Sequence, residues 1–192
     1  IISNGIKPPV DFVKAPDISD KKVTIALVGR IVMIKDIKTF IKAVSYIKQK
    51  VDNFEVLIIG PTEEEEAYFE ECETLVEILG VSDKIKFTGR QDMSVLYPQI
   101  DIMALTSISE GQPLVILEAF SREIPVVATD VGACRELIFG SDHEDKSLGT
   151  AGFIAPFGHE EIIGKNLVEL IKNPELRKKM GQSARARYLR YY

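Results

Sequence analysis

Short apolar runs rich in β-branched residues alternate along this chain with segments of helical periodicity. The run 23–28 has no polar alternation, which is typical of a strand buried on both faces. After Asp36, a residue suited to a helix N-cap, apolar side chains recur on one helical stripe. Parallel strands require crossover helices, and strand and helix patterns alternate here about six times. The pattern therefore predicts an α/β fold with a doubly wound parallel sheet of about six strands.

The predicted elements continue to the end of the chain. The predicted strands span residues 23–28, 55–60, 84–88, 101–106, 125–129 and 151–155. The predicted helices cover residues 36–47, 62–79, 113–122, 133–138, 160–172 and 174–190. Cys72 falls on an apolar helical stripe and is expected to be a core thiol. The polar segment 141–149 is predicted to be a mobile loop.

Composition and charge narrow the class of protein. The 192 residues, 45% hydrophobic and 28% charged, fit one ordinary soluble domain, or one domain with a terminal appendage. The net charge of −5 argues against a nucleic-acid partner. The two cysteines lack metal or redox spacing, so a reducing compartment is expected. The apolar runs are too short to span a bilayer. Because the sequence begins at Ile1 rather than at a methionine, we expect a longer parent protein.

Two cations follow the first predicted strand. Open α/β sheets bind ligands at the carboxyl ends of their strands. Gly29 allows a ligand to approach the backbone there, Arg30 offers a planar fork and Lys35 a point charge. The two side chains could neutralise a diphosphate. On spacing alone, a solvated surface Arg and Lys is an equal alternative.

The segment around Pro113 predicts a second group of ligand contacts. Pro113 suits the first position of a helix. The free backbone amides that would then point outward as an anion site are those of Gly111, Gln112 and Leu114.

Two acids flank this predicted helix start. Glu118 lies in an almost wholly apolar segment and is expected to be buried, where vicinal ribose hydroxyls would satisfy it. An ion pair with Arg30 or another basic side chain is the alternative. Glu110 lies in the preceding loop, where it can face a bound sugar or remain a solvated acid.

Other chemistries lack their residue patterns. No Gly-x-Gly-x-x-Gly or Gly-Lys-Ser/Thr phosphate loop is present, which argues against a dinucleotide oxidoreductase or a nucleoside triphosphatase. His143 and His159 lack partners at metal-ligand spacing and are expected at the surface. The basic residues between 177 and 190 are predicted to form the solvated face of a terminal helix. Contact with a partner domain or an anionic membrane is the alternative for them.

Together these residues resemble the C-terminal domain of the retaining glycosyltransferases of family 4, which have a GT-B fold of two facing Rossmann-like domains. The matching segments, which cover essentially the whole chain, are Asn4-Gly5-Ile6, Val28-Gly29-Arg30 with Lys35, Leu57-Ile58-Ile59-Gly60, Ile85-Lys86-Phe87-Thr88-Gly89, Ser107-x-Ser109-Glu110-Gly111 with Glu118, residues 125–132 with Glu136, Gly152, and Asn173-Pro174-Glu175-Leu176-Arg177. Segments 29–40 and 131–137 look most like the PelF-type exopolysaccharide transferases.

The resemblance implies a role for each matching residue. Arg30 and Lys35 would hold the donor diphosphate and stabilise it as it leaves. Glu110 would contact the donor sugar and Glu118 the ribose, while the base would lie near residues 89–91. The implied catalytic residues are Arg30, Lys35 and Glu110. The implied donor-nucleotide-binding residues are Gly29, Arg90, Gly111, Gln112, Leu114 and Glu118.

The resemblance also implies an activity and its setting. The expected function is donor binding in a retaining hexosyltransferase that moves a hexose, with UDP-glucose as the expected donor, to a saccharide acceptor in exopolysaccharide or cell-surface glycan synthesis. No metal or other cofactor is expected. The expected partners are the nucleotide sugar, an N-terminal GT-B domain and a membrane-associated polysaccharide synthase complex. The expected location is the cytoplasm, either free or peripheral at the inner face of the membrane.

The chain is expected to divide into an entry linker 1–20, a nucleotide-sugar-binding domain 21–172 and a truncated C-terminal helix 173–192. The chain is also expected to be inactive in isolation. Two departures from the family pattern stand out: Ser121-Arg122-Glu123 replaces a small-small-Gly turn, and Asp36 replaces the commoner glycine after Lys35. A non-catalytic nucleotide-binding or scaffold module with the same fold is the alternative function.

Overall fold

The computed structural model describes residues 21–192, so the predicted entry linker 1–20 lies outside the described residues. Its centre is a sheet of six parallel strands. The strands are β1 Val23–Val28, β2 Phe54–Ile59, β3 Ile85–Gly89, β4 Ile102–Leu105, β5 Val126–Thr129 and β6 Gly152–Ala155. Each strand begins and ends within one residue of its predicted bounds.

The strand order creates a switch point in the middle of the sheet. The order is β3-β2-β1-β4-β5-β6, and every neighbouring pair is parallel. The chain therefore builds outward from β1 to β3 and then returns to place β4 on the other side of β1. The predicted doubly wound, Rossmann-like sheet is confirmed. Ligands of such sheets bind where the order reverses, at the carboxyl ends of β1 and β4.

Helices cover both faces of the sheet. They are α1 Ile37–Lys48, α2 Glu66–Ile78, α3 Met93–Leu96, α4 Leu114–Phe120, α5 Cys134–Phe139, α6 His143–Lys146, α7 Glu160–Lys172 and α8 Pro174–Tyr191. Side chains alternate across β1, so Ile25 and Leu27 join the core beneath α1, α2 and α7, whereas Ala26 joins the core beneath α4, α5 and α8. This two-sided burial explains why the strand lacks polar alternation.

Two predicted helix starts lie at different residues in the structure. Helix α2 begins at Glu66 rather than at residue 62, so most of the acidic run precedes the helix. Pro113 is the N-cap of α4 rather than its first helical residue. Cys72 is fully buried in the core, as its position on an apolar stripe predicts.

The prediction of a mobile loop at residues 141–149 is wrong. This segment contains α6, in which Asp145 is buried and paired with the fully buried Arg187 of α8. Arg187 also donates to the backbone oxygens of Ile138, Asp145 and Gly149 at 2.8–3.0 Å. An arginine so enclosed needs these acceptors, because an unpaired buried charge is costly. The segment is therefore fixed by a side chain about forty residues further along the chain.

The prediction that the basic residues of the last helix form a solvated face is wrong in part. Arg187 and Arg177 are buried, and the Arg177 guanidinium donates to the Leu170 carbonyl oxygen at 2.7 Å. Lys178, Lys179 and Arg190 are exposed, as predicted.

Within residues 21–192, no helix combines the length and apolar composition that a membrane crossing would need.

Candidate functional site

The loops that follow β1 and β4 meet at the switch point of the sheet. The backbone N–H of Ile108 donates to the Ile34 carbonyl oxygen at 2.9 Å. The Thr106 hydroxyl donates to the carbonyl oxygens of Lys35 and Asp36, at 2.9 and 3.1 Å. These bonds join the two loops into one surface. The loop that carries the predicted phosphate cations is therefore a neighbour of the loop that carries the predicted sugar contact.

Lys35 and Glu110 form the central contact of this surface. The Lys35 Nζ and the Glu110 Oε1 are 2.6 Å apart, and the Ser107 hydroxyl donates to the same oxygen at 2.6 Å. The Lys35 side chain passes over Gly29, where a Cβ atom would lie 3.6 Å from its Cε. A short 3₁₀ turn at Met33–Lys35 brings the lysine to this position. Sequence reasoning named both charged residues but did not predict that they pair.

The Glu110 loop rests on the turn after β5. Gly132 has a φ of 51°, and a Cβ there would lie 2.2 Å from the Glu110 carbonyl oxygen. The backbone N–H of Ala133 donates to the Gly111 oxygen, and the Thr129 hydroxyl donates to the Ser107 oxygen at 2.7 Å. Only glycine allows so close an approach with this φ. The position of the predicted sugar-contacting acid therefore depends on a glycine from another loop.

An open cleft of about 480 Å³ lies beside this pair, at the ends of β1, β2 and β3. Its polar lining includes Arg30, Glu64, Arg90 and Gln91. Arg30 is exposed and its Nη1 lies 2.6 Å from the Glu64 Oε2. The cleft is of a size that suits a small-molecule ligand. Its lining brings the predicted nucleotide contacts Gly29 and Arg90 together with Arg30.

The acidic segment before α2 covers the loop after β1. Glu65 accepts a hydrogen bond from the Met33 backbone N–H at 2.8 Å, while Glu64 pairs with Arg30. Sequence reasoning missed Glu64 as a residue of the cleft. The signal was present, since four glutamates follow the predicted end of β2, but their spacing alone suited a helix start.

Glu118 lies on α4 and is half-buried, so the prediction that it is buried is wrong. Its Oε2 accepts a hydrogen bond from the Tyr97 hydroxyl. The alternative of an ion pair with Arg30 is not realised, because Arg30 pairs with Glu64. Glu118 does not line the cleft itself. Tyr97, however, follows helix α3, whose first residue Met93 does line it.

The ring of Tyr97 is held on its other side by an arginine. The Arg122 guanidinium carbon lies 4.2 Å from the centre of the ring, and its Nη1 donates to the Glu118 backbone oxygen at 3.2 Å. Burial, followed by the hydrogen bond to Glu118, raises the pKa of Tyr97 well above its ordinary value. The hydroxyl is thus a permanent donor near neutral pH. No sequence pattern pointed to Tyr97.

The predicted anion site at residues 111–114 has little helix behind it. Helix α4 has seven residues, and Gly111 uses its carbonyl oxygen to accept the Ala133 N–H. Leu114 is exposed at the start of the helix. A ligand role for the amides of Gly111, Gln112 and Leu114 remains a prediction.

Both departures from the family pattern fall on unusual backbone conformations. Asp36 and Glu123 have φ values of 47° and 57°, and they are the non-glycine residues with positive φ in the described part of the chain. Left-handed backbone favours glycine. Asp36 also caps α1, since its carboxylate accepts the Thr39 N–H at 3.3 Å. The backbone at these two positions therefore follows the path that a glycine would take.

No metal ligand set is evident in the described chain: residues 21–192 contain no group of three His, Cys, Asp or Glu side chains arranged to hold an ion.

Cys134, which follows the turn that supports the Glu110 loop, is fully buried. Burial raises the pKa of Cys134 to about 12, and the negative charge of Glu110 adds to this shift. The thiol is therefore protonated and unreactive at neutral pH.

Comparison with known proteins identifies the family. Residues 11–187 match the family described as "Glycosyl transferases group 1", so this chain belongs to that family. EpsD of Bacillus subtilis is 30% identical over 158 residues, which cover 82% of this chain and 38% of EpsD. The chain spans about two fifths of the length of the curated relatives that it matches.

Solved structures show the same fold. The C-terminal domain of LpcC, a glycosyl transferase group 1 family protein from Francisella tularensis, superposes with a TM-score of 0.77 at 28% identity, covering 90% of this chain and 87% of that domain. Anabaena HepE in complex with UDP gives a TM-score of 0.75 at 23% identity, covering 86% of this chain and 43% of HepE. The chain thus has the Rossmann-like architecture of one half of a GT-B glycosyltransferase.

Proposed function

We propose that this chain is the donor-binding half of a retaining glycosyltransferase that uses a nucleotide diphosphate sugar. The observation that carries the proposal is the juxtaposition of Lys35 and Glu110 at the switch point, with Arg30 in the adjoining cleft. Membership of the glycosyl transferases group 1 family supports it. The alternative of a scaffold module is less favoured, because a scaffold has no chemical need for these three charged side chains at the ligand-binding edge of the sheet.

The two cations would bind and stabilise the donor diphosphate. Lys35 is held in place by Glu110, and Arg30 is exposed to the cleft. As the bond between the sugar and the diphosphate breaks, negative charge accumulates on the phosphate oxygens. Preorganised cations lower the energy of that charge, and loss of one such contact commonly slows a reaction about 10²–10³-fold.

The remaining groups would bind the sugar and the nucleoside. Glu110 would accept hydrogen bonds from the sugar hydroxyls, and Glu118 from the ribose. Arg90 and the backbone around it would contact the base at the far end of the cleft. The amides of Gly111, Gln112 and Leu114 would complete the contacts with sugar and phosphate. This assignment needs no metal, because two cations supply the positive charge.

We propose UDP-glucose as the donor and a hexose as the transferred sugar. The complex of Anabaena HepE with UDP-glucose supports a uridine nucleotide. Resemblance to the PelF-type transferases supports an acceptor in exopolysaccharide or cell-surface glycan synthesis, at the inner face of the membrane. The acceptor site would lie on an N-terminal GT-B domain, so this chain alone would bind donor without transferring sugar.

Titration calorimetry of UDP against the 192-residue chain tests the phosphate assignment. The charge-assisted contacts predict that Lys35→Ala and Arg30→Ala each weaken UDP binding about tenfold or more. Lys86→Ala is the matched control, since Lys86 is an exposed cation of β3 outside the cleft lining. Equal affinities in all four proteins would remove the phosphate assignment.

A thermal-shift panel of UDP, ADP and GDP tests the base. A ligand that binds only the folded state raises the melting temperature by mass action. We expect UDP to give the largest shift. A larger shift with ADP or GDP would overturn the uridine assignment while leaving the donor site intact.

A further inference from the structure

We propose that Tyr97 is a positioning residue, which orients the Glu118 carboxylate to receive the ribose hydroxyls of the donor. The inference rests on the proposed function and adds a residue to it. Tyr97 belongs to neither group of predicted site residues. It lies in the 3₁₀ turn Tyr97–Gln99 between α3 and β4, on a different element from Glu118.

The hydrogen bond between the two side chains occupies one carboxylate oxygen and leaves the other available. The Tyr97 hydroxyl donates to Glu118 Oε2, whereas Oε1 accepts no hydrogen bond from any residue in the range 21–192. Tyr97 is 3% exposed, so its hydroxyl has a fixed place. Glu118 is only half-buried, so a ligand hydroxyl can reach its second oxygen. A carboxylate fixed through one oxygen presents the other in a defined direction.

The surroundings hold the tyrosine and leave the carboxylate charge in place. Arg122 packs against the Tyr97 ring but directs its Nη1 to the Glu118 backbone oxygen and the Ser121 hydroxyl, at 3.2 and 3.0 Å. Among the described residues, no basic side chain forms an ion pair with the Glu118 carboxylate. Burial keeps the phenol protonated by raising the pKa of Tyr97. Tyr97 can therefore act as a hydrogen-bond donor to Glu118 throughout the neutral pH range.

The position of Tyr97 connects Glu118 with the nucleotide cleft. Tyr97 lies one helical turn beyond Met93, which lines the cleft together with Arg30 and Arg90. A nucleotide whose phosphates contact Arg30 and whose base lies near Arg90 has its ribose between these two residues. Glu118 lies outside the cleft lining, so the hydroxyls of that ribose would have to extend past Met93 toward α4 to meet its free oxygen.

The test compares UDP with 2′-deoxy-UDP by titration calorimetry on the 192-residue chain. Wild type should bind UDP about tenfold more tightly than 2′-deoxy-UDP, and Tyr97→Phe should reduce this ratio to about threefold or less. A purely structural tyrosine would change both affinities equally and leave the ratio unchanged. Tyr68→Phe is the matched control, since Tyr68 is a buried tyrosine of α2 whose hydroxyl accepts the Lys38 N–H. It should keep the wild-type ratio.

Each outcome decides between the inference and its premise. An unchanged ratio in a folded Tyr97→Phe protein would overturn the positioning role and leave the donor site standing. A wild-type protein that binds UDP and 2′-deoxy-UDP equally would overturn it as well. Absence of nucleotide binding would remove the proposed function and this inference together. Glu118→Gln provides a second variant if Tyr97→Phe fails to fold, and a tenfold ratio retained in Glu118→Gln would also overturn the inference.

Discussion

The Lys35 ammonium group and the Glu110 carboxylate lie 2.6 Å apart across the switch point between β1 and β4. Their side chains are 23% and 13% exposed, so water screens the pair only in part. Each residue therefore holds the other in place before any ligand binds. A donor diphosphate would approach a lysine that is already oriented, while the Ser107 hydroxyl continues to stabilise the carboxylate.

This pair should be energetically coupled. Replacing Lys35 with Met or Glu110 with Gln leaves the partner half-buried without its counter-charge, so each single change should destabilise the fold. The double variant should be less destabilised than the sum of the two, with a coupling of about 1–2 kcal/mol in a double-mutant cycle. Urea unfolding measures the three variants against wild type. The exposed Lys165–Glu161 pair on α7 is the control, and its coupling should be below about 0.5 kcal/mol. Equal coupling at the two pairs would contradict the prediction.

Glu64 should compete with the donor for Arg30. Its carboxylate lies 2.6 Å from the guanidinium inside the cleft, so a phosphate group that binds Arg30 would meet a negative charge already paired with that side chain. Glu64→Gln removes one exposed ion pair, so we expect it to strengthen UDP binding about two- to fivefold at low salt. Calorimetry with Glu63→Gln controls for net charge, because Glu63 is an exposed neighbour. The gain should disappear in an Arg30→Ala background. An equal gain in Glu63→Gln would show that net charge, rather than the Arg30 contact, is responsible.

Glu123 should be a position where glycine is more stable than alanine. Its φ is 57°, and left-handed backbone costs a residue with a Cβ roughly 1–2 kcal/mol. Both Glu123→Gly and Glu123→Ala remove the carboxylate that lies 3.9 Å from Arg185, so their difference isolates the backbone. Chemical denaturation should place the glycine variant about 1 kcal/mol above the alanine variant. At Ala186, an exposed position within helix α8, the order should reverse, because glycine weakens helix interiors. The same order at both sites would rule out strain at Glu123.

The sheet could be predicted from the sequence because each of its strands is short, apolar and flanked by loops. Burial on both faces removes polar alternation, and the intervening helical stripes require parallel connections. Local sequence also indicated Lys35 and Glu110 as candidate site residues, because each lies in a loop that follows the carboxyl end of a strand. These features depend on neighbours in sequence, and the structure confirms the fold that they predict.

Several of the errors and omissions arose where a polar residue is satisfied by a distant partner. Asp145 lies in a polar stretch that is typical of a loop, but Arg187 of the last helix pairs with it. Glu118 was expected to be buried because its helix is apolar, yet Leu114 on the same helix is exposed. Tyr97 reaches Glu118 from an element that precedes β4. Such pairings depend on the packing of separate segments, which no single stretch of sequence contains.

The buried thiols should make the fold less stable in alkaline solution. Burial raises the pKa of Cys72 to about 11 and that of Cys134 to about 12, from an ordinary value of 9.0. Above pH 9 the unfolded chain releases protons that the folded chain retains, which favours unfolding. The stability contributed by protonated thiols is thus complete below pH 9 and decreases as the pH rises toward 11. Each thiol should lower the free energy of unfolding by about 1 kcal/mol between pH 8 and pH 10.

Urea unfolding at pH 8, 9 and 10 measures this effect, with Cys72→Ala/Cys134→Ala as the matched protein. The double variant should start less stable at pH 8, because two buried sulfur atoms are lost from the core. Its stability should then fall less steeply with pH than that of wild type, since the lysines and tyrosines are common to both chains. In wild type both thiols should resist a thiol-specific reagent at pH 8 until the protein unfolds. Equal pH dependence in the two proteins, or rapid labelling of the folded chain, would show that these thiols ionise as freely as in the unfolded state.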